Sequence, residues 1–113
     1  MQTKIKKILE THTKLKFPHP WGNEELANWL TDLSELDGYY VGIAQSIAAG
    51  KPIPEQIEYE FLRTMKLDLQ ILEETGDIDK ETFNTCEKYL KSLEDLAAEV
   101  KKMTGQKTPS KGK

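Results

Sequence analysis

Side chains that could bind a soft metal are few in this chain of 113 residues. They are His12, His19 and Cys86. No two of them share the short spacing of a structural zinc site, and a single cysteine excludes an intrachain disulfide. We therefore expect His12 at the edge of a helix, Cys86 as a small core residue, and no metal, cofactor or catalytic group.

Acidic side chains are more numerous candidates for binding a metal. Asp77, Asp79 and Glu81 alternate like the first ligands of a calcium loop. Thr82 and Lys88 occupy the places of the glycine and the terminal glutamate that such a loop requires. We therefore interpret this run as a helix cap and a solvated turn.

Two further pairs of carboxylates, Glu55-x-x-Glu58 and Glu74-x-x-Asp77, have the three-residue spacing that shares one helix face. Such pairs suit a hard cation that carries phosphate ligands. The pattern resembles the Glu-x-x-Glu and Glu-x-x-Asp pairs of all-α nucleoside triphosphate pyrophosphohydrolases, in which four carboxylates hold magnesium. The resemblance covers these four positions and implies a magnesium-dependent pyrophosphohydrolase as one alternative function.

Two acidic residues fall among apolar ones on a helical wheel. Asp68 lies between Ile57 and Phe61, and Asp37 lies beside Tyr40. A buried carboxylate must find hydrogen-bond donors or lose its charge. Each is therefore a hydrogen-bonded structural group, an exposed residue at the edge of an apolar arc, or part of a functional site.

The helix that contains Asp37 also carries Gly38 and Gly42 on one flank. Each glycine costs a helix about 1 kcal/mol relative to alanine, so we expect another backbone to approach closely. That backbone is the first helix or a twofold-related subunit. The alternatives are room for a ligand beside Tyr39 and Tyr40, and a helix break at Asp37-Gly38. Because the apolar pattern keeps its phase past this dipeptide, we expect the helix to continue.

Apolar residues with alternating spacings of three and four predict two long amphipathic helices. The first stripe is Leu26, Trp29, Leu33, Leu36, Tyr40, Ile43 and Ile47, and the second is Phe83, Cys86, Leu90, Leu93, Ala97 and Val100. Asn23 suits the N-cap of the first helix, which runs to about Ala49 and is closed by Gly50. Asp79 suits the cap of the second, which ends at Gly105.

Two other helices are predicted. One covers roughly residues 2–16 and is stopped by the segment 17–22, an extended connection with Phe17 and Trp21 as aromatic anchors. The other begins near Pro54 and ends before Gly76. Its apolar residues cover more than half of its circumference and are Ile57, Phe61, Leu62, Met65, Leu67, Leu69, Ile71 and Leu72. It is therefore predicted to be buried on several sides, as the central helix or at a subunit interface.

These elements predict an all-α, up-down antiparallel helical bundle of three long helices plus a shorter N-terminal helix. Connections of about four residues make neighbouring helices antiparallel, and the N-terminal helix is a fourth element or caps one end. Residues 1–105 are expected to form one helical-bundle domain and residues 106–113 a disordered basic tail.

Charge is unevenly distributed along the chain. Residues 21–100 hold eighteen acidic side chains against five lysines and one arginine, whereas residues 1–20 and 101–113 hold five lysines each. An acidic body repels phosphate backbones, which argues against nucleic acid as a partner. No membrane-spanning window or signal peptide is recognisable, so we expect a cytoplasmic protein.

We therefore predict a small non-catalytic protein–protein interaction module, an adaptor, regulator or assembly factor that self-associates as a homodimer. An acidic inhibitor or immunity-type protein that neutralises a basic partner is the first alternative. The pyrophosphohydrolase is the second. The candidate interaction residues are Asp37, Gly38, Tyr39, Gly42, Leu67, Asp68 and Ile71.

Overall fold

Four helices make up the protein in the computed structural model, which describes residues 2–20 and 22–104. They are α1 (Gln2–Thr13), α2 (Glu24–Ala49), α3 (Glu60–Glu74) and α4 (Lys80–Thr104). No strand occurs among these residues, and the all-α helical bundle predicted from the sequence is confirmed. None of the helices described has the length and apolar character needed to cross a lipid bilayer. Trp21, Gly105 and the predicted tail at 106–113 lie outside the described residues.

Helix α1 runs antiparallel to α4. Near its start, the Lys4 ammonium lies 3.8 Å from the carboxylate of the buried Glu99. Near its end, His12 contacts Ser92, which precedes Glu99 by about two turns on α4. Helix α1 packs on both α2 and α4, so it is a fourth element of the bundle rather than a cap.

Helix α3 packs on α2 and α4 from the other side and runs antiparallel to α2. The Trp29 indole donates a 2.9 Å hydrogen bond to the carbonyl of Met65. Further along α2, the Tyr39 hydroxyl accepts a hydrogen bond from the backbone N–H of Glu58, just before α3. Asn23 at the start of α2 bonds Asp77 just before α4, so α2 and α4 run in the same direction and the chain alternates in direction through the four helices.

The two predicted stripes form the core. Every member of the α4 stripe is buried, and in the α2 stripe only Leu36 and Ile47 are half-buried. Burial of a large apolar side chain contributes about 1.5–3 kcal/mol. These stripes supply about half of the buried apolar side chains that stabilise the bundle.

The ends of α2 and α4 follow the predicted signals. The Asn23 side chain accepts a hydrogen bond from the N–H of Leu26 and donates one to the carbonyl of Asp77. Gly50 closes α2 with a left-handed φ of 71°, a conformation that favours glycine. Asp79 caps α4 through its side chain. The N-cap of α2 is thus also tied to the turn between α3 and α4.

Helix α3 begins at Glu60, so the prediction of a start near Pro54 was wrong. The connection over residues 51–59 has no helix and lies against α2. The Tyr40 hydroxyl donates to the Glu58 carbonyl while Tyr39 accepts from the N–H of the same residue. Ile57 is buried from this connection rather than from a helix. Tertiary hydrogen bonds thus replace the first helical turns and leave α3 with 15 residues, about 22 Å.

Helix α3 is buried on one face only. That face consists of Leu62, Met65 and Leu69. Phe61, Leu67 and Ile71 are 59%, 50% and 53% exposed. The prediction that α3 is surrounded on several sides is therefore wrong for the single chain. Its outer apolar residues are open to solvent and available to a partner.

Candidate functional site

A groove runs between α2 and α3, and two lines of side chains form its walls. Asp32, Glu35, Leu36 and Tyr39 follow one another along α2, and Phe61, Thr64, Met65 and Asp68 along α3. Both sets have the spacing i, i+3, i+4, i+7, which places their members in one row on a helix. The α2 row shares Leu36 with the core stripe, so the groove borders the core directly.

The antiparallel packing of α2 and α3 fixes the order of groups along the groove. Tyr39 meets Glu58 at one end, where the hydroxyl oxygen and the backbone nitrogen are 3.2 Å apart. Asp32 and Asp68 line the opposite end. The buried Met65 lies between the ends, and the groove encloses about 520 Å³. An apolar floor therefore lies between two polar ends.

The charge of the groove has one sign. Its carboxylates are Asp32, Glu35, Glu58 and Asp68, all exposed, and no lysine or arginine is among the described residues that line it. The Glu58 carboxylate also accepts a 2.9 Å hydrogen bond from the backbone of Glu60. The surface therefore attracts cations and repels anions.

Leu67 and Ile71 extend this apolar surface onto the outer side of α3. Leu67 lies one turn from Thr64, and Ile71 lies one turn from Asp68. Several large apolar side chains exposed together are typical of interaction sites on soluble domains. We call the groove together with Leu67 and Ile71 the α2–α3 surface.

The structure divides the seven candidate residues between two places. Tyr39 and Asp68 line the groove, and Leu67 and Ile71 lie beside it, whereas Asp37, Gly38 and Gly42 lie elsewhere on α2. Of the alternatives left open for Asp68, burial within an apolar arc is wrong, because the residue is exposed. Ile57 does not belong to α3, and Phe61 is exposed, so the two residues that defined this arc do not bury Asp68.

Gly38 and Gly42 lie inside an unbroken α2, as predicted. A methyl group added at either position would meet nothing within 4 Å. The predicted close approach of α1 at these glycines is therefore wrong. Their role in packing against a second subunit stays a prediction.

Asp37 belongs to a polar network between α1, α2 and α4. Its carboxylate lies 2.5 Å from His12 Nε2, and His12 Nδ1 lies 2.7 Å from the hydroxyl of Ser92. A carboxylate only accepts hydrogen bonds, so Nε2 carries a proton. His12 is 1% exposed, and the prediction that it sits at a helix edge was wrong.

Tyr89 completes this network. Its ring centre lies 4.8 Å from that of His12. Burial, followed by the charge of Asp37 and a hydrogen bond to it, raises the pKa of Tyr89. A serine, a histidine and a carboxylate in a row are also the groups used for nucleophilic catalysis. Here the imidazole is closed off from solvent, and the network joins three helices.

The carboxylate pairs that resemble a magnesium site do not converge. Glu55 and Glu58 lie in the connection before α3, whereas Glu74 ends that helix and Asp77 follows it. The 15-residue helix α3, about 22 Å long, lies between the two pairs. No group of three or more acidic, histidine or cysteine side chains among the described residues is arranged to hold a metal ion. This geometry does not fit four carboxylates around one cation.

Sequence reasoning missed several residues of the groove. Asp32 and Glu35 were not singled out, and Phe61 was assigned to a buried face. The repeated i, i+3, i+4, i+7 pattern beside each core stripe was a signal that could have found the groove. The partnership of His12 with Asp37 had no such signal, because 25 residues separate the two.

Comparisons with known proteins identify no relative. The chain matches no protein-family model, and no curated protein or solved structure is significantly similar to it.

Proposed function

We propose that this chain is a protein–protein interaction module of the cytoplasm, an adaptor, regulator or assembly factor that binds its partner across the α2–α3 surface. The observation that carries the proposal is the exposure of Phe61, Leu67 and Ile71 on one short helix beside an apolar groove. Removing such side chains from water is the main driving force of protein association. The single cysteine, buried as a free thiol, suits a reducing compartment.

The two-helix lining of the groove also suits a macromolecular partner. Its walls are parallel rows of side chains on α2 and α3, an arrangement that can accept a side-chain row of another helix. The groove borders the core directly, so its floor is set by well-packed residues such as Met65. A preformed surface of this kind lowers the entropic cost of binding.

The test compares proteins captured from the cell extract of the source organism by three forms of the full chain. Phe61→Glu adds a charge inside the groove, and Gln70→Glu adds the same charge to an exposed position elsewhere on α3. We expect a specific protein to be retained by the wild type and by Gln70→Glu and lost by Phe61→Glu. The same set of proteins on all three forms contradicts the proposal.

Self-association is a second candidate, supported by the outer side of α3. In an antiparallel pair of α3 helices, Leu67 would face Ile71 of the partner subunit, and Arg63 would come near Glu74 of the partner subunit. Light scattering at micromolar concentration would then give twice the monomer mass of 12.9 kDa, and Leu67→Glu would return it to the monomer value. A wild-type mass of one chain excludes the homodimer.

A further inference from the structure

The acidic groups of the groove lie on both of its walls and at both of its ends. Asp32 on α2 and Asp68 on α3 line one end, Glu58 lies at the other, and Glu35 lies on the α2 wall between them. Leu36, Met65 and Phe61 line the space between the ends. A complementary partner would therefore present apolar side chains in its middle and positive charges on both sides.

We propose that the groove binds a short, basic amphipathic helix of a partner protein. Its apolar side chains contact the floor, and its lysine or arginine side chains pair with carboxylates at both ends. This inference rests on the proposed function and adds the chemistry of the partner to it. From Asp32 to Tyr39 the groove extends about 10 Å, or two helical turns. The basic positions of the partner are then about seven to eleven residues apart, with two or three apolar residues between them on the same face.

The negative charge of the groove favours a basic helix over a second copy of this chain or a nucleic acid. Two copies that joined groove to groove would place like charges opposite each other, which disfavours a twofold contact here. The same carboxylates repel the phosphates of nucleic acids. A basic helix instead gains from long-range attraction and reaches the groove faster at low salt.

The experiment uses the full chain and three labelled helical peptides of about four turns with the same leucine face. Their polar positions carry lysine, glutamine or glutamate. We measure binding by fluorescence anisotropy at low and high salt. The lysine peptide is expected to bind at least about tenfold more tightly than the glutamine peptide at low salt, and the glutamate peptide not to bind.

Variants locate the binding site. Asp32→Asn with Asp68→Asn removes two charges from the groove, and Glu87→Gln with Asp95→Asn removes two from exposed positions on α4. The groove variant is expected to weaken binding of the lysine peptide about fivefold and the α4 variant to leave it within twofold. Phe61→Ser is expected to weaken binding of both the lysine and the glutamine peptides about tenfold.

The outcomes separate the two proposals. Equal binding of the lysine and glutamine peptides, with both sensitive to Phe61→Ser, overturns the basic partner and retains the interaction surface. Equal weakening by the groove and α4 variants overturns the inference, because attraction to the whole acidic body then explains binding. Lysine-peptide binding that does not respond to Phe61→Ser contradicts both proposals.

Discussion

The imidazole of His12 and the carboxylate of Asp37 lie 2.5 Å apart, and they join α1 to α2 across a separation of 25 residues. Ser92 on α4 binds the other ring nitrogen. A 12-residue helix is too short to be stable alone in water. The network therefore attaches α1 to the bundle together with its apolar side chains.

Asp37→Asn tests this attachment. The amide oxygen can still accept a hydrogen bond from Nε2–H, but it lacks the negative charge that strengthens this bond. We therefore expect the free energy of unfolding to fall by about 1–2 kcal/mol. Urea unfolding followed by circular dichroism measures the change. Asp95→Asn, an exposed position on α4, is the control and should change stability little. Equal effects of the two substitutions would show that the network does not hold α1.

Asn23→Ala removes both the N-cap of α2 and the hydrogen bond to the carbonyl of Asp77. We expect the free energy of unfolding to fall by about 1 kcal/mol or more, because an N-cap alone contributes about that much. Asn84→Ala changes an exposed residue within α4, away from the helix ends, and should not lower the free energy of unfolding. Thermal unfolding of the two variants tests this prediction. An unchanged melting temperature for Asn23→Ala would contradict it.

Gly38→Ala and Gly42→Ala are expected to stabilise the isolated chain by about 0.5–1 kcal/mol each. Alanine favours the helix, and the added methyl group meets no neighbour. Gly50→Ala is the opposite control and should cost about 1 kcal/mol, because its φ is 71°. Urea unfolding at two protein concentrations measures all three. A concentration-dependent loss of stability at Gly38 or Gly42 would instead reveal a second subunit packed on this flank.

Because the thiol of Cys86 is buried, we expect the protein to lose stability at alkaline pH. Burial raises the pKa of its thiol from 9.0 to about 11, so the folded state favours the protonated form. This contribution is fully present below about pH 9 and is lost as the pH rises through 11. Burial also raises the pKa of Tyr40 and Tyr89, so these two hydroxyl groups likewise make the folded state less stable as the pH rises.

The measurement is the urea midpoint from pH 8 to 11 for the wild type and for Cys86→Ala. The wild type should lose stability more steeply above pH 9, while the variant keeps only the contribution of the tyrosines. A thiol reagent should also react with native Cys86 far more slowly than with the unfolded chain. Parallel pH profiles, or equally fast labelling, would contradict the prediction.

Local signals predicted α2 and α4 well. Their apolar stripes, the cap at Asn23 and the closing Gly50 all act within one helix or its ends, where the sequence pattern is direct. The start of α3 depends on hydrogen bonds between Glu58 and the hydroxyl groups of Tyr39 and Tyr40, which belong to another helix. Proline spacing carries no information about such tertiary partners.

The candidate site was predicted only in part. Tyr39, Leu67, Asp68 and Ile71 were named, but Asp68 was expected to lie inside an apolar arc. Helical periodicity shows which residues share a face, whereas the packing of neighbours decides how much of that face is covered. The broad apolar arc of α3 therefore indicated surplus apolar surface without showing that Phe61 would be open to solvent.

The opposite placement of α1 and α3 on the α2–α4 pair gives the molecule an electric dipole. Exposed lysines cluster on and just after α1, whereas the carboxylates of the groove lie on the far side. A charged partner that approaches through solution is therefore rotated by the electric field of the protein before the two make contact. The orientation of the collision, as well as its frequency, then depends on ionic strength.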